Sequence, residues 1–307
     1  MSSCLIINFY LNIKDKGKCT KMTRHNINIL KNTKFLNNVI QGETLEEMAK
    51  IPDNSIDMVL VDLPYGNTQN KWDSLIPLEK LWVEYNRIVK INGAMLFTAS
   101  GLFTASLMLS NPKNYKYKYV WEKSKPTNFL NAKKQPLRKH EDILVFYRKQ
   151  PYYCPQMTVG EPYTKGVRKN QLTGSYGDFS PTLVESKGER YPVDVLYFKT
   201  AESEGKVFHP TQKPVELARY LIRTFSKVGD VILDNTCGAG SFLVGAILEG
   251  RNFIGIEKNT DVALFKNKPV DYIEVSKTRI FDAANSLKKT DADLFAKLEN
   301  VNLLKGI

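Results

Sequence analysis

Ile56-Asp57-Met58-Val59-Leu60-Val61-Asp62-Leu63-Pro64-Tyr65-Gly66 is a short, nearly continuous apolar run that ends on a carboxylate, a proline and an aromatic. A run of this kind suits a strand buried on both faces of a parallel sheet. Pro64 cannot continue a ladder, so the strand stops there and the next side chains project from its carboxyl end. In open α/β sheets that end is where ligands bind. Asp62 and the Leu63 carbonyl are acceptors that together can take both hydrogens of an exocyclic amine. Tyr65 offers a flat face to a heterocycle, where stacking is worth roughly 1–3 kcal/mol. The same letters also fit a plain turn in which Asp62 caps a helix and Tyr65 packs into the core.

A second chemistry-bearing unit lies far downstream. His209-Pro210-Thr211-Gln212-Lys213-Pro214 precedes a helix with Leu217, Leu221 and Phe225 on one face. Pro214 suits the first position of that helix. The strand Val231-Ile232-Leu233 then leads into Asp234-Asn235-Thr236-Cys237-Gly238-Ala239-Gly240-Ser241, a helix over 242–248, and a strand from Phe253 to Ile256 that ends at Glu257. This is a βαβ unit with a glycine turn. Gly238 and Gly240 let backbone approach a ligand closely, and Glu257 can accept hydrogen bonds from ribose hydroxyls. Asp234 can hold an ammonium. A tight turn without a ligand fits the glycines equally well. The G-x-G-x-x-G spacing of dinucleotide sites fails at Leu243, and no phosphate-binding P-loop pattern is present.

Asp62-Leu63-Pro64-Tyr65 resembles the catalytic tetrapeptide of the S-adenosylmethionine-dependent amino-methyltransferases that modify adenine N6 or cytosine N4 in DNA. The commoner family form has proline where this chain has Leu63, a position that contributes mainly its carbonyl. Aspartate at the first position points to adenine. The segment 209–214, the Asp234 loop and Glu257 are similar to the family's cofactor motifs, with Asn235 and Ala239 where proline and serine are more usual. The order, with the tetrapeptide first and the cofactor loop last, is that of the β class. The resemblance covers about residues 38–285. It implies a doubly wound, mostly parallel α/β sheet of the class I methyltransferase, Rossmann-like type, with an inserted recognition region. The implied catalytic set is Asp62, Leu63, Pro64 and Tyr65. The implied cofactor set is Glu43, Asp62, Thr211, Lys213, Asp234, Gly238, Gly240 and Glu257.

Charge is the remaining signal. The chain of 307 residues carries 44 Lys/Arg against 32 Asp/Glu, a net charge of +12. That balance favours a polyanionic partner. Residues 111–150 hold eleven of the cations and three acids, which concentrates the excess there. Lys123, Lys125, Lys133, Lys134, Arg138 and Lys139 in that stretch, with Lys165, Arg168 and Lys169 further on, are the candidate contacts to double-stranded DNA. A solvated lysine-rich face is the alternative.

The expected organisation is a basic extension over 1–37, a methyltransferase core over 38–150 and 207–290, and a target-recognition insert over 151–206. Within the core, strands are expected at 39–40, 94–99, 115–121 and 141–147. Helices are expected at 44–50, from Leu78 to a stop at Asn92-Gly93, at 100–109 and at 272–284. Four scattered cysteines and three histidines without ligand spacing exclude a disulfide framework and a metal site. No apolar run is long enough to span a membrane, and the N-terminus is a poor signal peptide, so a cytoplasmic location is expected. A restriction endonuclease working on the same DNA word is a partner that the resemblance would allow. A homodimer is compatible with the sequence and not specified by it.

Overall fold

The computed structural model describes residues 30–31, 33–66, 74–168, 180–259, 264–265 and 268–290; the side chains of Arg168 and Thr182 are outside it. Most of the basic extension, the polar loop 67–73, Lys169 and the end from Asp291 lie outside the described residues.

In chain order the elements are β1 (Asn38–Gln41), α1 (Thr44–Met48), β2 (Ile56–Val61), α2 (Leu78–Ile88), β3 (Val89–Ala99), α3 (Leu102–Ser110), β4 (Tyr115–Thr127) and β5 (Arg138–Phe146). Four short strands follow: β6 (Thr158–Val159), β7 (Tyr163–Arg168), β8 (Thr182–Ser186) and β9 (Glu189–Arg190). The chain then runs through β10 (Val195–Phe198), α4 (Ala201–Glu204), α5 (Val215–Phe225), β11 (Val231–Asp234), α6 (Ser241–Leu248) and β12 (Asn252–Glu257). It closes with β13 (Leu264–Phe265), β14 (Lys268–Pro269) and α7 (Tyr272–Thr290).

Eight strands form one sheet in the order β1-β12-β11-β2-β3-β5-β4-β10. Every neighbouring pair is parallel except β3/β5 and β4/β5. Seven strands therefore point one way and β5 runs against them. The carboxyl ends of the seven and the amino end of β5 share one edge, and Asp62, Asp234 and Glu257 all sit on it.

The continuous apolar run of β2 now has its reason. Met58 and Leu60 pack with α5, α6 and α7 on one face, through Leu217, Leu221, Phe242 and Ile280. Val59 and Val61 pack with α1, α2 and α3 on the other, through Met48, Leu81, Tyr85 and Phe103. A strand covered on both sides has no polar face, and each fully buried aliphatic side chain contributes roughly 1.5–3 kcal/mol.

Three expectations are corrected. The helix from Leu78 ends at Ile88, and Asn92-Gly93 lies inside β3. Pairing of Ile56 with Val89 and the ion pair from Lys90 to Asp57 Oδ1 (2.5 Å) pull the chain into the sheet early. Gly93 is needed for close approach, since a Cβ there would meet the Asp57 carbonyl at 2.8 Å. The β4–β5 hairpin is longer than periodicity suggested, extending to a Thr127–Arg138 pair. Pro214 precedes the helix as its N-cap, and Val215 is its first residue.

The segment 151–206 divides. Residues 158–168 and 182–190 make two small antiparallel ribbons, β6/β9 and β7/β8, apart from the main sheet. β10 rejoins it as the edge strand beside β4, and the short helix α4 follows where no helix is expected.

Candidate active site

β2 and β11 are hydrogen-bonded neighbours, with Leu233 opposite Val59. Their carboxyl ends consequently emerge side by side, and the Thr236 hydroxyl donates to the Asp62 carbonyl at 3.0 Å. Tetrapeptide and cofactor loop, distant in sequence, are parts of one site.

The Asp62 carboxylate is held on three sides. Tyr65 OH donates to Oδ1 at 2.8 Å, the Thr98 hydroxyl donates to the same oxygen, and Lys213 Nζ donates to Oδ2 at 2.6 Å. A carboxylate offers about four acceptor sites, so one remains on Oδ2. Phe103 backs one face of Tyr65, with ring centroids 4.9 Å apart at 22°. A heterocycle would have to approach the face away from Phe103, and the Lys213 ammonium lies over the ring, 5.7 Å from its centroid. Burial, with the negative charges of Asp62 and Glu141, pushes the Tyr65 phenol well above its ordinary range, so it stays a donor.

Lys213 is among the residues expected at the cofactor, and in the structure its ammonium bridges Asp62 and Glu141, the latter at 3.4 Å. Burial lowers its affinity for a proton, but Asp62 and Glu141 more than offset this and hold it above the ordinary lysine value. Glu141 in turn pairs with Lys123 Nζ at 3.1 Å. The chain Lys123–Glu141–Lys213–Asp62 ties β4 and β5 to the carboxylate at the tip of β2. Lys213→Met leaves Asp62 and Glu141 without their shared cation, a loss expected to cost roughly 3–5 kcal/mol, as for other broken buried pairs. Urea unfolding measures it. Adding Asp62→Asn should recover part of the loss, since Glu141 keeps Lys123, and a double variant no better than the single would show that the bridge is not the cause.

In the glycine turn, Gly238 and Gly240 have φ of +49° and +73°. At Gly240 a Cβ would also meet the Ser276 hydroxyl at 3.0 Å. Ser276 Oγ donates to the Gly238 carbonyl at 2.6 Å, and Arg279 donates to the Ala239 carbonyl, so α7 braces the turn. Glu257 Oε2 accepts from Gly238 N at 2.7 Å and Oε1 from Asn259 N at 3.1 Å. Each oxygen keeps a lone pair for a hydroxyl. Glu43 stands at the exit of the neighbouring strand β1 and pairs with Lys258 at 2.6 Å, both largely exposed. His209 lies against Gly238 and Tyr272. Thr211 donates its backbone N–H to His209 Nδ1 at 3.2 Å. Burial lowers the imidazole to about 4, which keeps it neutral at ordinary pH.

Asp234 is 2% exposed, and the Thr236 backbone N–H donates to its Oδ1 over a long 3.4 Å. Burial and the charges of Asp62 and Glu257 raise it well above the ordinary carboxylate range, despite the Thr236 N–H. Three acids at adjacent strand tips, one of them deeply buried, fit a cationic nucleoside. Ammonium and sulfonium would relieve the repulsion, and Glu257 would meet the ribose. Among the described residues, no group of three or more His, Cys, Asp or Glu could hold a metal ion.

Sequence reasoning missed Thr98, Phe103, Glu141 and Tyr85, whose roles depend on neighbours across the sheet. The Tyr85 hydroxyl donates to Asn235 Oδ1 at 2.7 Å inside the core, and Asn235 Nδ2 is a buried amide nitrogen without a partner among the described residues. Tyr85→Phe is expected to destabilise the fold by about 1–3 kcal/mol by orphaning the remaining amide oxygen. Thermal unfolding tests this, and an unchanged midpoint would reject it.

The basic candidates separate. Lys123 is 4% exposed and ion-paired with Glu141, so it is an internal support and not a surface cation. Lys125, Lys133, Lys134, Arg138 and Lys139 are exposed; Glu202 pairs with Lys125 at 3.4 Å and Glu122 with Lys139 at 2.7 Å. Lys165 is exposed on β7 with its ammonium 5.1 Å from the Tyr163 ring centroid. Arg168 ends that strand. No helix among the described residues is long and apolar enough to cross a membrane.

Comparison with known proteins agrees with this geometry. The Type II methyltransferase M.HinfI of Haemophilus influenzae is 26% identical over 295 residues, covering 84% of this chain and 71% of that protein. The DNA adenine methyltransferase YhdJ of Escherichia coli is 28% identical over 300 residues, covering 84% and 95% respectively. Among solved structures, the M1.HpyAVI–SAM complex superposes with a TM-score of 0.52 at 20% identity, over 79% of this chain and 98% of the other. The cytosine-N4-specific PvuII DNA methyltransferase does so at 0.53 and 14%, over 85% and 92%. At those identities the structures speak for the fold alone, a class I methyltransferase sheet. A family model described as DNA methylase matches residues 56–264, from the first residue of β2 to beyond Glu257. With more than half its length matched and both motif sets meeting at one sheet edge, the chain belongs to the N6/N4 DNA methylase family.

Proposed function

We propose that this protein transfers a methyl group from S-adenosylmethionine to N6 of adenine in double-stranded DNA. The observation that carries the reading is that the tips of β2 and β11 lie side by side, where the Asp62 backbone and Thr236 are hydrogen-bonded. The Asp62 carboxylate supports adenine over cytosine as the target, as does the name of the relative YhdJ.

When bound, S-adenosylmethionine supplies an electrophilic methyl group on a sulfonium that leaves as a neutral thioether. The chain's part is positioning. Asp234 takes the ammonium, Glu257 the ribose hydroxyls, and the Gly238–Gly240 turn lets the backbone close on the nucleoside. The target base is turned out of the helix, at a cost of a few kcal/mol that stacking on the face of Tyr65 away from Phe103 largely offsets. One amine hydrogen goes to the remaining acceptor site of Asp62 Oδ2 and the other to the Leu63 carbonyl. Pro64 fixes the backbone between those acceptors and the ring. Thr98, Tyr65 and Lys213 prevent the carboxylate from rotating away, so the nitrogen lone pair stays aimed at the methyl. Alignment of two bound reactants supplies roughly 7–11 kcal/mol. Residues 151–206 are proposed to read the DNA word, with Lys165, Arg168 and Lys169 as contacts. A cytoplasmic setting and a cognate endonuclease complete the proposal.

Incubation with a labelled methyl donor and unmodified duplex DNA, followed by nucleoside digestion and mass spectrometry, tests the reading. N6-methyladenine is expected. N4-methylcytosine would overturn the base assignment, and no labelled nucleoside would overturn the transfer itself.

A further inference from the structure

Past the Thr127–Arg138 pair, the β4–β5 hairpin closes in a tip that presents Phe129 and Leu130 to solvent, 75% and 84% exposed. The tip is ordered by its own hydrogen bonds. Asn128 turns the chain at φ +71°, Asn131 Nδ2 donates to Asn128 Oδ1 at 2.7 Å, and Ala132 N donates to the Phe129 carbonyl at 3.1 Å. Lys134 N and Gln135 N both donate to the Asn131 carbonyl, at 2.8 and 3.0 Å. Two apolar side chains are thus held out on a short 3-10 turn whose backbone has little freedom left to lose on contact.

Their surroundings are cationic: Lys125, Lys133, Lys134, Arg138 and Lys139 are all exposed on the same hairpin. A second copy of the chain would bring two such clusters together and be repelled, whereas a polyanion would be drawn to the tip. The position is set by topology. Because β5 alone runs against the sheet, the tip stands on the edge that carries Asp62. Glu141, three residues into β5 from Arg138, contacts the same Lys213 that grips Asp62.

We infer that Phe129 and Leu130 form a wedge that enters the base stack of duplex DNA where the target nucleotide departs. Apolar side chains inserted between base steps are a known means of unstacking a duplex. Lysines and arginine hold the flanking phosphates, and the wedge occupies the gap while the extruded base sits at Asp62. The inference rests on the proposed transfer to duplex DNA and adds to it the residues that stabilise extrusion.

The test compares the wild-type chain with Phe129→Ser/Leu130→Ser on two duplexes. One contains the methylated word, found by sequencing DNA modified by the wild type. The other has an abasic site opposite the target adenine, so that unpairing is already complete. The variant is expected to lose at least about 10-fold in kcat/KM on the paired duplex and to stay within about 3-fold of wild type on the abasic one, since a pre-opened base needs little help to leave the stack. Equal losses on both duplexes, or no loss on either, would overturn the wedge. A wild type that sediments as a dimer, with the variant a monomer, would assign the tip to a subunit contact and overturn it too. A wild type that methylates no DNA would overturn the underlying reading and the wedge together; an active wild type with an equally active variant overturns the wedge alone.

Discussion

Asp62→Ala is expected to lower the methyl-transfer rate by about 10²–10³-fold, the range found when one preorganised polar group is removed from a reacting centre. The effect should fall on kcat, because the remaining acceptor site of the carboxylate meets the amine, while its charge is already paired with Lys213 and adds little to holding the donor. Titration calorimetry should find donor affinity changed by less than about 3-fold, the sign of an interaction made with the target and not with the donor. The structure adds a consequence. Tyr65, Thr98 and Lys213 all donate to Asp62, so alanine strands two hydroxyls and half of an ion bridge. A lower melting temperature is therefore expected alongside lost turnover. Asp62→Asn separates the two effects, since its carbonyl oxygen can still accept from Tyr65 and Thr98. An alanine variant that retains wild-type turnover would reject Asp62 as the group that orients the amine.

Asp234→Asn should act in two opposite directions. Burial and the neighbouring acids raise the Asp234 carboxyl in the folded protein, so the proton is bound more tightly there than in the unfolded chain. The stability contributed by this group is then greatest at acid pH and falls as pH rises from the ordinary carboxylate range through the raised folded value. Asparagine removes the ionisation. At neutral pH the ligand-free variant should melt higher than wild type, by roughly 2–4 °C for each kcal/mol of relieved charge burial. Affinity for the cationic donor should fall by about 10–100-fold, the worth of a charged hydrogen bond. Scanning calorimetry with and without S-adenosylmethionine reads both quantities. A variant that binds the donor as tightly as wild type would remove Asp234 from the ammonium site.

How far such roles can be read without coordinates differs along the chain. The run 56–61, apolar at every position but Asp57, needs only that near-continuity to be placed in the middle of a doubly covered sheet. Asp62, Pro64 and the glycine turn are legible because proline and glycine act on local backbone. The same local logic misled at Asn92-Gly93, where sheet pairing and the Lys90–Asp57 ion pair outweighed a helix-stop signal. It also misled at Lys123, which counts as a cation in any charge sum and yet is buried against Glu141.

By itself, then, the sequence determined the strand, the turn and the order of the motifs, since these follow from hydrophobic period and backbone restriction within a few residues. Only the tertiary structure decided what holds the Asp62 carboxylate. Thr98, Glu141 and Lys213 are separated from Asp62 by 36 residues or more, and Lys213 by 151. Their convergence depends on which strands lie side by side and on the single reversed strand β5. Strand adjacency is a property of how the whole sheet buries its two faces, and no window of sequence contains it.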